Sequence, residues 1–312
     1  MTFPAKSGVN EHSLRGIAYM LLGVTAFSAT DGLSKWMVMA APILEIVAIR
    51  NALVLLMILP ALGRAGGIRS LATRRGWAHV LRAALSIGAL LSFFAALREL
   101  PLATSIAISF ASPLFMTVAS VLLLGERVGR HRWLAVSMGF VGVLVIAWPG
   151  AGGMISWPAA LMVLSSLFFA LSMITVRWLA RTESDVAMLF YQNAGMMLAG
   201  VAGLPFVWQT PGALDLGVIA GMAVTLVIGQ VFMIRAFRLA PVAVVAPFEY
   251  LELLWASLIG YVVWNEEPAA HVWIGAGVVI LSGLYITWRE ARIRRGTAAP
   301  QSAAASAMAP ST

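Results

Sequence analysis

Long apolar runs, interrupted by Gly, Pro, Trp and clusters of charge, make up most of this chain. A bilayer core needs about 20 mostly apolar residues per helical span. Ten runs meet that requirement: Arg15–Met39, Ile43–Leu62, Trp77–Leu97, Pro101–Leu124, His131–Trp148, Trp157–Leu179, Val186–Trp208, Leu216–Phe237, Pro241–Trp264 and His271–Trp288. They predict ten transmembrane helices joined by short loops. Trp77, Trp133, Trp148, Trp157, Trp208, Trp264, Trp273 and Trp288 fall near the predicted ends, where an amphipathic indole is favoured by the headgroup region.

The runs repeat. Ala18–Trp36 matches Ala160–Trp178 at an offset of 142, through Met20/Met162, Phe27/Phe169, Lys35/Arg177 and Trp36/Trp178, and the match continues to Asn51/Asn193. From Ala96 the offset is 140, pairing Arg98/Arg238, Pro101/Pro241, Glu126/Glu266 and His131/His271. The first run, preceded by Lys6 and Arg15, has the outline of a signal peptide, but its partner in the sixth run argues that it stays in the mature protein. The chain therefore reads as an N-terminal segment 1–14, five-helix halves at 15–149 and 157–288, and a tail 289–312, basic and then disordered by composition.

Lys and Arg set the orientation. With a cytoplasmic N-terminus, the inner segments hold Lys6, Arg15, Arg64, Arg69, Arg74, Arg75, Arg127, Arg130, Arg132, Arg181, Arg238 and the Arg289–Arg295 cluster, while the outer loops hold only Arg98. Both termini are expected inside. Five helices per half then invert the second half relative to the first, the design of many secondary transporters.

Composition agrees: 61% of the 312 residues are hydrophobic and 11% charged, which excludes a cytosolic globule. The net charge of +8 lies between apolar runs and orients the protein in the bilayer, so no nucleic-acid partner is expected. The lack of Cys removes disulfides, thiolate metal sites and Cys nucleophiles. The four His lie far apart, and no GxxxxGK[ST] loop is present. Neither a metal nor a cofactor is expected, and ATP is not the driver. An intramembrane enzyme would need a nucleophile and base, or two acids on facing helices, and is disfavoured.

Ionisable groups inside apolar spans are costly and are functional candidates by default. In the ninth span Val245, Glu249, Glu252, Ala256 and Gly260 share one face, and the equivalent face of the fourth holds Ser105, Ser109, Ser112, Met116 and Ser120. Both stripes should look into a central cavity. Glu249 and Glu252 read either as ammonium ligands and proton carriers or as structural pairs with Arg50, Arg82 or an amide. Pro113 and Pro247 free backbone carbonyls in these spans, as hinges or as ordinary kinks. Asp31 precedes Lys35 by four, which predicts an intrahelical ion pair. Arg50 lies at a similar depth, either meeting Asp31 or clamping a substrate carboxylate. Arg82 and Arg235 are expected to snorkel to the cytoplasmic surface. Asn51, Asn193 and Gln230 read as interhelical hydrogen-bonders or substrate contacts. Phe27, Phe93, Met116 and Trp255 are the candidates for sizing the pocket.

Ten spans in inverted halves, with the breaks Leu100–Pro101–Leu102–Ala103 and Ala240–Pro241–Val242–Ala243 and the ends Gly125–Glu126 and Asn265–Glu266, resemble the drug/metabolite transporter superfamily and, more narrowly, an EamA-type exporter. The resemblance implies spans one to four and six to nine as a basket around a cavity, with spans five and ten outside. Within that group the chain looks most similar to the YddG-type exporters of aromatic and other neutral amino acids. It further implies a bacterial inner-membrane carrier of a small molecule, working by alternating access as a uniporter or with protons. A carrier of another metabolite or of a drug-like cation, or a channel, are the other readings. Oligomeric state is open, a monomer being sufficient. Glu126 and Glu266 read as topology markers.

Overall fold

The computed structural model describes residues 11–126, 129–148, 156–180 and 182–307. Among them every regular element is helical: α1 (Glu11–Ala40), α2 (Ile43–Arg64), α3 (Gly76–Leu97), α4 (Leu102–Ser109), α5 (Ser112–Leu124), α6 (Arg130–Ala147), α7 (Trp157–Leu179), α8 (Asp185–Val207), α9 (Ala213–Leu239), α10 (Val242–Val245), α11 (Leu251–Trp264) and α12 (Ala270–Ala307). Short 3-10 segments occupy Gly67–Leu71 and Ala246–Tyr250. Seven helical stretches, with 102–124 taken as one, are long and apolar enough to cross a membrane by themselves. The fifth and tenth spans are shorter apolar helices, and the ninth is assembled from α10, the 3-10 segment and α11. A 22-residue helix such as α2 rises roughly 33 Å, enough for a hydrocarbon core of about 30 Å.

One boundary differs from expectation. The fourth span is interrupted at Phe110–Ala111, so Pro113 lies in the first turn of α5 and does not kink a continuous helix. Pro113 has no N–H to give the Ser109 carbonyl, and the Ser112 hydroxyl donates to that carbonyl instead, at 2.7 Å. At the C-terminal end, α12 runs on past Arg295 to Ala307.

Packing follows the repeat. The first helix of each half lies against the third of the other, α1 on α9 and α3 on α7, while α2 packs on α8 and α6 on α12. Exchanging the halves maps this set of contacts onto itself. Small residues permit the closest approaches: a Cβ on Gly200 of α8 would lie 2.6 Å from the Ala48 nitrogen and 2.8 Å from the Leu44 carbonyl oxygen on α2. Gly200→Ala should therefore force α2 and α8 apart and cost about 1–3 kcal/mol, read from thermal unfolding in detergent.

Exposed large side chains are mostly apolar, including Phe206, Leu122 and Val262, as a lipid-facing surface requires. Apolar grooves of 350 Å³ (lined by Val141, Leu144 and His271) and 400 Å³ (lined by Met138, Leu281 and Tyr285) flank the α6–α12 crossing. Exposed Leu134, Val141, Leu144 and Leu281 line them, so they belong to the outer surface and not to a transport path.

Candidate functional site

The two interrupted spans meet at the centre. Phe110 at the break of one and Tyr250 at the break of the other are repeat equivalents, and their rings pack edge to face at 5.1 Å. Val245, Ala256 and Gly260 of the ninth span and Ser105, Ser112 and Ser120 of the fourth are buried. Glu249, Glu252 and Ser109 are only half-buried although they lie midway along their spans and face other helices.

Three charged residues converge there. The Asp31 carboxyl, on α1, lies close to that of Glu252 at the start of α11. Arg50 of α2 is close enough to feel the Asp31 charge, and its guanidinium carbon lies 5.7 Å from the centre of the Phe94 ring. Arg50 is buried, and its Nε has no hydrogen-bond partner. Glu249 adds a further carboxyl within electrostatic reach of Glu252. The constellation thus offers a guanidinium donor and neighbouring carboxyls, with the half-buried rings of Phe110 and Tyr250 at the two breaks, while Phe94 is enclosed in the core beneath Arg50.

The expected Asp31–Lys35 pair is not formed. Lys35 reaches past its own helix to Glu266 and to the Leu100 carbonyl oxygen at 2.9 Å, because α1 lies against α11 and a carboxylate from another helix end is available at each turn. Arg82 also departs from expectation. It is buried and donates to Gln192 Oε1 at 2.6 Å and to the Met188 carbonyl at 3.3 Å, since acceptors on α8 lie closer than the water a snorkelling side chain would seek. Gln192 continues to Ser86 at 3.1 Å, and Ser86 to Ser172 at 2.9 Å. Gln192→Leu, which strips Arg82 of that acceptor, should destabilise the protein by about 2–3 kcal/mol. Adding Arg82→Met should recover much of the loss in the same unfolding assay.

The other candidates divide. Asn51 and Asn193 each donate to a carbonyl one turn back on their own helix, Val47 at 2.6 Å and Leu189 at 2.8 Å, at the α2–α8 contact. Asn51 Oδ1 remains without a partner. The Ser109 and Ser112 hydroxyls donate to carbonyls around the break and so hold its shape. Gln230 is half-buried on α9. Trp255 sits at the edge between the inward stripe and the exposed Leu254, Leu258 and Val262. Pro247 opens the 3-10 segment that carries Glu249 and Tyr250. Phe27 packs where Gly229 leaves room on α9. Phe93 and Phe94 lie next to each other at 6.1 Å, and Phe94 is the ring beneath Arg50. Among the described residues no group of His, Asp and Glu has the arrangement of a metal site.

Phe94, Phe110, Tyr250 and the Lys35–Glu266 contact were not anticipated. The repeat offset of 140 pairs Phe110 with Tyr250 and was the available signal.

Known proteins fit this architecture. The family model described as the EamA-like transporter family matches residues 14–148 and 156–288, one match per half. A riboflavin transporter of Rhizobium johnstonii is 31% identical over 90% of this chain and 93% of its own length. An S-adenosylmethionine uptake transporter of Rickettsia conorii is 29% identical over 89% and 94%. A pseudopaline exporter of Pseudomonas aeruginosa is 29% identical over 85% and 93%. A solved crystal structure superposes with a TM-score of 0.59 at 18% identity, covering 90% of this chain and 98% of its own, a likeness of fold alone. The three relatives carry riboflavin, S-adenosylmethionine and pseudopaline, so they support the family and not the narrower aromatic amino acid exporter group.

Proposed function

The chain belongs to the EamA-like transporter family, and we propose that it is a bacterial inner-membrane carrier, both termini cytoplasmic, that moves a zwitterionic metabolite by alternating access. An amino acid, or a conjugate containing one, is the substrate class that fits. The observation that carries this reading is a buried guanidinium with a free Nε close to the adjoining carboxyls of Asp31 and Glu252. A substrate carboxylate supplies the acceptor Arg50 lacks, through the planar fork. A substrate ammonium is taken by the Asp31 and Glu252 carboxyls. The half-buried rings of Phe110 and Tyr250 provide faces for an apolar or aromatic body.

The inverted repeat supports a rocking motion around this midplane site. Relatives include an uptake carrier and an exporter, so the same architecture serves both directions. Export follows wherever the substrate is more concentrated inside. S-adenosylmethionine, carried by one relative, combines an amino acid group with a planar ring. A polyanion is disfavoured because Arg50 is the one cation at the centre among the described residues, against Asp31, Glu249 and Glu252.

Binding to purified protein tests the substrate class. Aromatic amino acids and S-adenosylmethionine are compared with the matching amine lacking a carboxylate and the matching acid lacking an ammonium. Each deletion should weaken binding about tenfold or more, since it leaves a buried charged group unpaired. An amine that binds as tightly as its amino acid would point to a cation carrier. Binding of riboflavin alone would remove the zwitterion from the account.

A further inference from the structure

Two ion pairs outside the central site are images of one another under the repeat. Lys35 corresponds to Arg177 and Glu266 to Glu126. Lys35 binds Glu266, and Arg177 binds Glu126 at 3.1 Å. Each pair joins the first helix of one half to the end of the broken span of the other, one pair at each end of the bundle. The two glutamates leave similar turns. Gly125 has φ 67° and Glu126 N–H donates to the Ser120 carbonyl at 3.3 Å; Asn265 has φ 55° and Glu266 N–H donates to the Gly260 carbonyl at 3.1 Å. A left-handed residue followed by a bond back into the last turns of the helix closes its C-terminus and aims the next side chain in a fixed direction.

Their surroundings differ. The Lys35 side chain is 4% exposed and that of Glu266 20%. Lys35 also holds the Leu100 carbonyl and lies 5.3 Å from the Trp264 ring, while Glu266 Oε2 accepts from the Leu102 N–H at 2.8 Å, where α4 begins. Arg98 adds bonds to the Val38 and Ala41 carbonyls at the same end. At the opposite end the Arg177 and Glu126 side chains are 51% and 42% exposed. One pair is sealed within protein and its image is solvated, which is the asymmetry a carrier must exchange between its two faces.

We propose that Lys35–Glu266 and Arg177–Glu126 are reciprocal latches that close opposite ends of the transport path in turn. This rests on the carrier reading above. A solvated pair contributes little and is readily parted. A buried one holds its end shut, because loss of either charge leaves the other unpaired in protein. Each latch ties α1 or α7 to the far end of the span that carries Glu252 or Ser112, so closure at one end is linked to the central site.

The chain lacks Cys, so spin labels attach only where Cys is introduced. One labelled pair, Met39→Cys with Val263→Cys, reports the Lys35 end; another, Leu123→Cys with Ala180→Cys, reports the Arg177 end; Met39, Val263, Leu123 and Ala180 are all exposed. Distances are measured by pulsed electron resonance on full-length protein in lipid vesicles. Glu266→Gln should raise the open-to-closed ratio at the Lys35 end about tenfold or more. Glu126→Gln should shift populations the opposite way, and the swap Lys35→Glu with Glu266→Lys should restore the original ratio. Two populations in the parent protein that neither variant moves, or that both move alike, would overturn the latches and leave the carrier standing. A single unshifted population at both ends in every protein, with and without substrate, would overturn both.

Discussion

Arg50→Gln should lower transport at subsaturating substrate about a hundredfold, the effect of removing a buried charge from a charge-assisted contact. Arg50 is buried over the Phe94 ring, feels Asp31, and has a free Nε, so its fork is available to a substrate. Arg50→Lys should retain part of the rate, since an ammonium keeps the charge and loses the bidentate geometry. The discriminating measurement is substrate preference in the variant. Arg50→Gln should lose the distinction between an amino acid and its carboxylate-free amine, whereas a merely structural Arg50 would depress both equally. Rates are to be compared at equal levels of folded protein.

Disabling the carboxyl pair has the second large effect. Asp31 and Glu252 lie close together, and the other titratable and charged groups around them are Arg50 on α2, Lys35 one turn along α1, and Glu249 and Tyr250 in the 3-10 segment. Protons and a substrate ammonium compete for the same oxygens. Acidification puts protons on those oxygens, so substrate affinity should rise as pH is raised. Glu252→Gln and Asp31→Asn should each weaken ammonium binding about tenfold or more and flatten that pH dependence. Unchanged rates and pH profiles in both would remove the carboxyls from the mechanism and leave them as packing.

Lipid makes much of this fold readable. A span must satisfy its backbone internally and present apolar side chains outward, so Ile43–Leu62 and Trp157–Leu179 stand out as continuous runs and their helices follow closely. The phase of the repeat placed Ser105–Ser120 and Val245–Gly260 on facing stripes, and those faces are inward. Partner choice among charges was less readable. The i,i+4 rule joined Asp31 to Lys35, but that rule describes an isolated helix, and Glu266, just past the end of the neighbouring span, takes Lys35 instead. Arg82 was assigned to the membrane surface by position along its helix, yet α8 supplies acceptors at its own depth. The aromatic lining was hardest to see, because hydropathy does not separate a Phe facing lipid from one facing a cavity. Phe110 and Tyr250 emerge only when the repeat offset is applied to the breaks themselves.

Liposome transport tests the central claim most directly. Purified protein is reconstituted, vesicles are loaded with a panel of unlabelled metabolites, and counterflow of labelled aromatic amino acids and S-adenosylmethionine is followed with and without an imposed pH gradient. The account predicts saturable counterflow of at least one zwitterion, trans-stimulated by the same compound and lost in Arg50→Gln. Saturable counterflow of a compound with no carboxylate, undiminished in Arg50→Gln, would contradict it.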